Sequence, residues 1–198
     1  MDKEINMTLI EIINQNDYIV KHGTDKESRH KYCSAFYDKV FLDLKDKKLN
    51  ILEIGIQNGS SLVLWNEYFK NSIIYGIDNT DFIKDRLDTY PRIKTIIQDA
   101  YRKELTFNLP LFDIIIDDGP HTLESQIKFI NNYFKKLNKN GKLFIEDIDG
   151  RPNLNELRKE ASKFTSNITS IDFRSNTNAE DSLMLVIQND LDAHYLVT

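Results

Sequence analysis

Seven short apolar runs, most of them closed by a turn residue or an acid, constrain this chain more than any other feature. They read LNILEIGI, SIIYGID, IKTIIQD, FDIIIDD, GKLFIED, NITSIDF and SLMLVIQ. Each has the length of a strand, and helical patterns separate most of the early ones. The clearest helix carries Leu123, Ile127, Ile130, Phe134 and Leu137, with an end expected at Asn140-Gly141. Continuous apolar runs that alternate with helices bury both faces in a mainly parallel sheet covered on each side. The expectation is an α/β, Rossmann-like architecture: a mainly parallel seven-stranded sheet with helices on both faces. Ligands in such sheets bind beyond the carboxyl ends of the strands. The residues that close the runs are therefore the candidates for chemistry.

Two helical stretches precede the first run. Met7, Ile10, Ile12 and Ile13 lie in one that fades before His22-Gly23. In the second, from about Glu27 to Leu44, Tyr32, Phe36 and Val40 repeat as a core-facing stripe. No internal repeat and no Pro/Ser-rich linker interrupts the 198 residues. One domain over residues 1–198 is expected, with residues 1–48 as a helical segment capping the site.

The first run ends Glu53-Ile54-Gly55-Ile56-Gln57-Asn58-Gly59-Ser60. Glycines after a strand allow a tight turn and a close ligand. A phosphate loop needs G-x-x-x-x-G-K-[ST]; here the second glycine is one place early and no lysine follows. A dinucleotide fingerprint needs a middle glycine where Gln57 stands. Asp78 closes the second run and can accept both hydrogen bonds of a ribose diol. Asp99, closing the third, could take an adenine amino group. A glycine turn and an acid without a pyrophosphate motif point to S-adenosylmethionine.

The fourth run ends in Asp117-Asp118-Gly119-Pro120-His121 and the fifth in Glu146-Asp147. If these strands are neighbours, Asp118, Glu146 and Asp147 converge and repel one another unless a cation neutralises them. Oxygen-only ligands suit magnesium, calcium or manganese rather than zinc. His121, three residues past Asp118, can serve as a neutral base near pH 7.

ILEIGIQNGSSLVLW with IIYGID resembles the first two motifs of class I S-adenosylmethionine-dependent methyltransferases. HGTDKESRHKYCSAFYDKVF, IDDGPH and GKLFIEDID together resemble the metal-dependent sugar O-methyltransferases of macrolide biosynthesis and their cephalosporin-hydroxylase-like relatives. The resemblance covers about Gly23 to Asp149, and D-D-G-x-H with E-D is its most specific part. It implies Mg2+ (or Mn2+) on Asp118, Glu146 and Asp147, and His121 as catalytic base. It also implies a lid or substrate role for Thr24, Asp25 and Lys26, although Thr and Asp equally suit helix capping. Glu53, Gly55, Asn58, Ser60, Asp78, Asp99 and Asp117 are then the cofactor candidates; Asp117 could instead orient the turn. Pro120 departs from the Ser or Ala expected there, and the chain is short for the family.

The implied reaction is methyl transfer to a hydroxyl of a sugar or glycan. Alternatives are a catechol-like or natural-product diol as acceptor, a nucleotide-dependent oxidoreductase, and a non-catalytic cofactor-binding module. A net charge of -5 argues against a nucleic-acid partner. A single cysteine, Cys33, fits a cytoplasmic protein. No leader is expected, and no apolar run approaches the ~20 residues of a membrane span. A homodimer is a further expectation. His22 and His30 are expected to face solvent, Tyr32, Tyr37 and Trp65 to pack in the core, Cys33 to be buried, and Arg151-Pro152 to lie in a loop.

Overall fold

All seven apolar runs become strands of one sheet in the computed structural model, which describes residues 7–15, 23–81, 84–177 and 179–190. The strands are β1 (Asn50–Ile54), β2 (Ile73–Asp78), β3 (Ile93–Ile97), β4 (Phe112–Asp117), β5 (Leu137–Ile145), β6 (Ile168–Asp172) and β7 (Leu183–Gln188), ordered β3-β2-β1-β4-β5-β7-β6. Strands β1 to β5 pair in parallel, and β7 runs antiparallel to both β5 and β6. Strand order reverses between β1 and β4, which opens a cleft at their carboxyl ends.

The helices are α1 (Leu9–Gln15), α2 (Asp25–Ser28), α3 (Asp38–Phe41), α4 (Ser60–Tyr68), α5 (Lys84–Leu87), α6 (Lys103–Thr106), α7 (Leu123–Tyr133) and α8 (Gly150–Ala161). Among the described residues, no helix is long and apolar enough to cross a membrane.

Ile114, Ile115 and Ile116 of β4 alternate between two apolar layers, as a strand covered on both faces requires. Ile114 and Ile116 join Phe144, Phe41, Trp65 and Phe69 on one side. Ile115 joins Leu143, Ile145, Phe129, Ile130 and Leu157 on the other. Each such side chain is fully buried and contributes roughly 1.5–3 kcal/mol of transfer free energy. Phe144→Ala would open a cavity costing about 3–5 kcal/mol.

Two local expectations change. The helix expected from Glu27 to Leu44 is broken: a π-helical turn spans Cys33–Tyr37 between α2 and α3. The helix α7 closes through a 3-10 turn at Phe134–Lys136, so Asn140-Gly141 does not end it but lies inside β5. There Asn140 N donates to Asn189 O at 2.7 Å and Asn189 N to Gly141 O at 3.0 Å. The pairing of β4 with β5 shifts register across this bulge.

Candidate active site at the carboxyl ends of the strands

Backbone hydrogen bonds hold the strand ends side by side. Gly55 N donates to Ile77 O at 3.0 Å, Asp118 N to Ile54 O at 2.9 Å, and Glu146 N to Asp117 O at 3.1 Å. The turn after β1 therefore lies directly on the turn after β4. Gly55 has φ +82°, and a Cβ there would stand 2.0 Å from the Asp118 carbonyl oxygen. This glycine is required by a chain crossing. Asp78 organises the same turn: Oδ2 accepts from Ile56 N at 2.9 Å and Gln57 N at 3.0 Å. Its Oδ1 accepts from Thr80 N and Oγ1. These four bonds fill the acceptor sites of the carboxylate, so a ligand would reach Asp78 only by displacing one of them, most readily the exposed pair from Thr80.

A cavity of about 620 Å³ opens over these ends. Gly55, Gln57, Asp78, Asp99 and Tyr101 form one part of its lining, and Asp118, His121 and Asp147 another. A second cavity of about 370 Å³ lies past Gly55, against Thr24, Asp25, Asn58 and Ser61. The two share Asp25, Gly55, Gln57 and Asp118.

Asp118, His121 and Asp147 each offer a ligand atom, and these atoms lie within 4.8 Å of one another. His121 Nε2 is 3.9 Å from Asp118 Oδ1 and 3.7 Å from Asp147 Oδ2, too far for hydrogen bonds. His121 Nδ1 is buried and, among the described residues, has no hydrogen-bond partner. Both His121 (φ 58°) and Asp147 (φ 52°) sit in the left-handed region, a conformation that costs energy and recurs at functional sites. Burial raises the Asp147 carboxyl above its ordinary range, and the neighbouring Asp118 adds to the rise. Two carboxylates and an imidazole around an unneutralised point fit a hard divalent cation. Glu146, expected beside them, is turned elsewhere: it accepts hydrogen bonds from Lys26 Nζ and the Tyr37 hydroxyl.

Lys26 reaches further into the site than Thr24 and Asp25. Expected in a lid, it is 1% exposed, with its ammonium among Glu53, Asp118 and Glu146. Burial alone would lower its pKa; the three carboxylates outweigh that and hold it well above the ordinary value. Lys26 therefore stays charged. Glu53 is fully buried behind the site, accepting from Trp65 Nε1 at 2.7 Å, and is not part of either cavity lining. Ser60 is likewise buried, while Asn58 lines the smaller cavity. Asp117 is buried, lines neither cavity, and accepts from the Tyr101 hydroxyl at 2.7 Å. Burial pushes its carboxyl up to about 7. Asp99 is exposed and accepts from Tyr101 N at 2.9 Å.

Tyr32 and Tyr37 pack as expected, but each also carries a polar contact to the site. The Tyr32 hydroxyl donates to Asp147 Oδ1 at 2.7 Å. Five residues apart, they face the same way because the π-turn spans them. His30 does not face solvent: it is buried, stacked on Tyr32, with Nδ1 2.8 Å from Ser182 Oγ. Thr24 caps α2, accepting from Lys26 N at 3.4 Å. Asp25 is half exposed and lines both cavities. Arg151 and Pro152 belong to the first turn of α8 rather than to a loop, and Arg151 is an exposed partner of Asp172. Cys33 is buried, with its thiol pushed up by burial. His22 lies outside the described residues.

No family model matches the sequence. Among curated proteins, the chain is 31% identical over 140 residues to 8-demethyl-8-alpha-L-rhamnosyl tetracenomycin-C 2'-O-methyltransferase of Streptomyces olivaceus, covering 65% of this chain and 36% of that protein. It is 29% identical over 144 residues to demethylmacrocin O-methyltransferase of Streptomyces fradiae, covering 67% and 36%. It is 32% identical over 139 residues to mycinamicin VI 2''-O-methyltransferase of Micromonospora griseorubida, covering 65% and 34%. The chain thus spans about a third of the length of these relatives. Among solved structures it matches the MycE methyltransferase of the mycinamycin pathway in complex with Mg, SAH and mycinamycin VI. That match has TM-score 0.67 and 22% identity, covering 92% of this chain and 55% of that one. It also matches the Methanococcus jannaschii fibrillarin pre-rRNA processing protein, with TM-score 0.60 and 20% identity, covering 73% and 68%. The fold is the Rossmann-like one of the methyltransferases, and the sequence likeness is to O-methyltransferases of sugars on natural products.

Proposed function

We propose that this chain transfers a methyl group from S-adenosylmethionine to a hydroxyl of a sugar or glycan, with the help of a divalent cation. The observation that carries this reading is the convergence of Asp118, His121 and Asp147 in one cavity with Asp78 and the β1 turn. The likeness to sugar O-methyltransferases supports the acceptor class. Asp118 and Asp147 would hold Mg2+ or Mn2+, with Glu146 retained by Lys26. Once bound, the ion lowers the pKa of an acceptor hydroxyl and fixes its position. His121, about a third exposed beside the two carboxylates, receives the proton on Nε2. Asp78 keeps the β1 turn folded through Oδ2 and would exchange the Thr80 hydrogen bonds on Oδ1 for those of the ribose diol. Gly55 lets the β1 and β4 turns meet, so donor and acceptor regions share one wall and the reacting groups are aligned. Residues 1–198 act as one unit in this reading, in the cytoplasm, and the segment before β1 closes the site through Lys26, Tyr32 and Tyr37.

The placement of a His121 ring nitrogen within 4.8 Å of the Asp118 and Asp147 oxygens, without a hydrogen bond to either, favours a second role for it, as third ligand to the ion. Purified protein should methylate members of a panel of deoxyhexosides, lose activity in chelator, and regain it with Mg2+ or Mn2+. Full turnover in excess chelator overturns the metal reading. His121→Ala should lose about 10²–10⁴-fold in rate if the residue is a base. Metal affinity measured by calorimetry separates the roles, since only a ligand's loss weakens it.

A further inference from the structure

The acids at the ends of β1, β4 and β5 are divided between two cation positions that share one carboxylate. Asp118 faces both. Its Oδ2 accepts from Lys26 Nζ at 2.8 Å, and its Oδ1 lies 3.9 Å from His121 Nε2. Around the ammonium stand Glu53 Oε1 at 3.1 Å, Asp118 Oδ2, and Glu146 Oε2. Around the other position stand Asp118, His121 and Asp147. One carboxylate that gives an oxygen to each of two cation positions has the layout of a two-metal site, in which the ions lie about 3.5–4 Å apart.

The ammonium does not fully satisfy its position. Glu53 Oε1 is buried and, among the described residues, accepts no hydrogen bond, although Lys26 Nζ is 3.1 Å away. The ammonium has three donors for the oxygens around it, and Glu53 Oε1 is left without an aligned one. Three carboxylates, those of Glu53, Asp118 and Glu146, share this single lysine.

We propose that the Lys26 ammonium occupies the second-cation position of a carboxylate-bridged pair, so that the chain takes one divalent ion where its acids would otherwise take two. The inference rests on the reading that Asp118 and Asp147 hold a divalent ion. It assigns Lys26 a positioning role: the lysine withdraws Glu53 and Glu146 from coordination. That leaves positions on the bound ion free for acceptor oxygens. Because Lys26 belongs to α2, the second position is filled only when that segment is seated on the sheet.

The test counts bound Mn2+ by electron paramagnetic resonance and calorimetry in the wild type, Lys26→Arg and Lys26→Met. One ion is expected in the wild type and in Lys26→Arg. Two are expected in Lys26→Met, with the spectrum of an exchange-coupled pair, and one again in Lys26→Met combined with Glu53→Gln. A wild type that binds no ion removes the metal reading itself and the inference with it. One ion in the wild type and one, at unchanged affinity, in Lys26→Met overturns the inference alone, as do two ions in the wild type. If Lys26→Met is unfolded without metal, recovery of its circular dichroism on adding Mn2+ supports the exchange of cation for cation. Failure to recover in excess Mn2+ overturns it.

Discussion

The phenol of Tyr101 ends where a side chain on Gly119 would begin: a Cβ there would stand 2.0 Å from the hydroxyl oxygen. The hydroxyl cannot simply swing aside, because it donates to the buried Asp117 at 2.7 Å. Gly119→Ala should therefore destabilise the fold by about 1–3 kcal/mol, the usual cost of overpacking. Tyr101→Phe removes the obstructing oxygen and should cost about 1–3 kcal/mol through the unsatisfied carboxylate. The double mutant should cost less than the sum, a coupling that urea denaturation of the three variants measures. Additive effects would mean that the two residues do not meet. The glycines of the β1 turn and of D-D-G-x-H were legible as turn residues. Their actual reasons are contacts with residues distant in sequence, the Asp118 carbonyl and the Tyr101 hydroxyl, which no local pattern displays. The partners of Lys26 were illegible for the same reason: the resemblance implied a lid or substrate role beside Thr24 and Asp25, and only the fold brings three acids to it.

The π-turn at Cys33–Tyr37 is the element that joins the first helices to the site. Helical spacing selected Tyr32, Phe36 and Val40 as the buried stripe. The extra residue in the turn instead aligns Tyr32 with Tyr37, and both are fully buried against the carboxylates. Tyr37→Phe keeps the ring contacts with Phe41 and Trp65 but removes a donor from buried Glu146. A loss of about 1–3 kcal/mol is expected in thermal or urea unfolding, and no change would show that Lys26 alone satisfies Glu146. The seven strands, by contrast, were all legible, because continuous apolar runs need no distant partner to be recognised. The bulge at Asn140-Gly141 was not, since the same dipeptide serves to stop a helix. At the sheet edge, β6 ends in Asp172, where hydrogen bonds from Arg174 hold the carboxyl down at about 2. With the folded pKa depressed below its ordinary value of 3.8, this contribution is present above 3.8 and lost as pH falls through about 2. The pair is solvent-exposed, so its effect on stability is small. In Arg174→Ala, nuclear magnetic resonance titration of Asp172 should return toward 3.8. A carboxyl that stays at about 2 would assign the effect to Arg151 instead.

Across the whole molecule, the parallel sheet gathers acids from separate strands into one place, and this opposes folding until they are neutralised. Close together stand Glu53 in β1, Asp118 after β4, and Glu146 and Asp147 after β5, with Lys26 as the shared cation of the first three. Burial and mutual repulsion raise the Asp147 carboxyl, which records that its ionised form is unfavourable as it stands. A divalent ion held by Asp118 and Asp147, as proposed, would remove that repulsion and bind only the folded chain, and so would add to stability. At a concentration 100-fold above its Kd, the gain is about 2.7 kcal/mol. For a chain of this size each kcal/mol moves the unfolding midpoint by about 2–4 °C. A rise of roughly 5–10 °C is therefore expected when Mg2+ or Mn2+ is added to metal-free protein, and scanning calorimetry checks it. Asp147→Asn separates neutralisation from simple packing, because it keeps the shape of the side chain and removes the charge. The variant should melt at or above the wild type in chelator, since one source of repulsion is gone, and should lose most of the rise with metal. A variant that melts lower in chelator yet keeps the full metal-induced rise would mean that Asp147 is held for its hydrogen bond to Tyr32 and that the ion binds elsewhere.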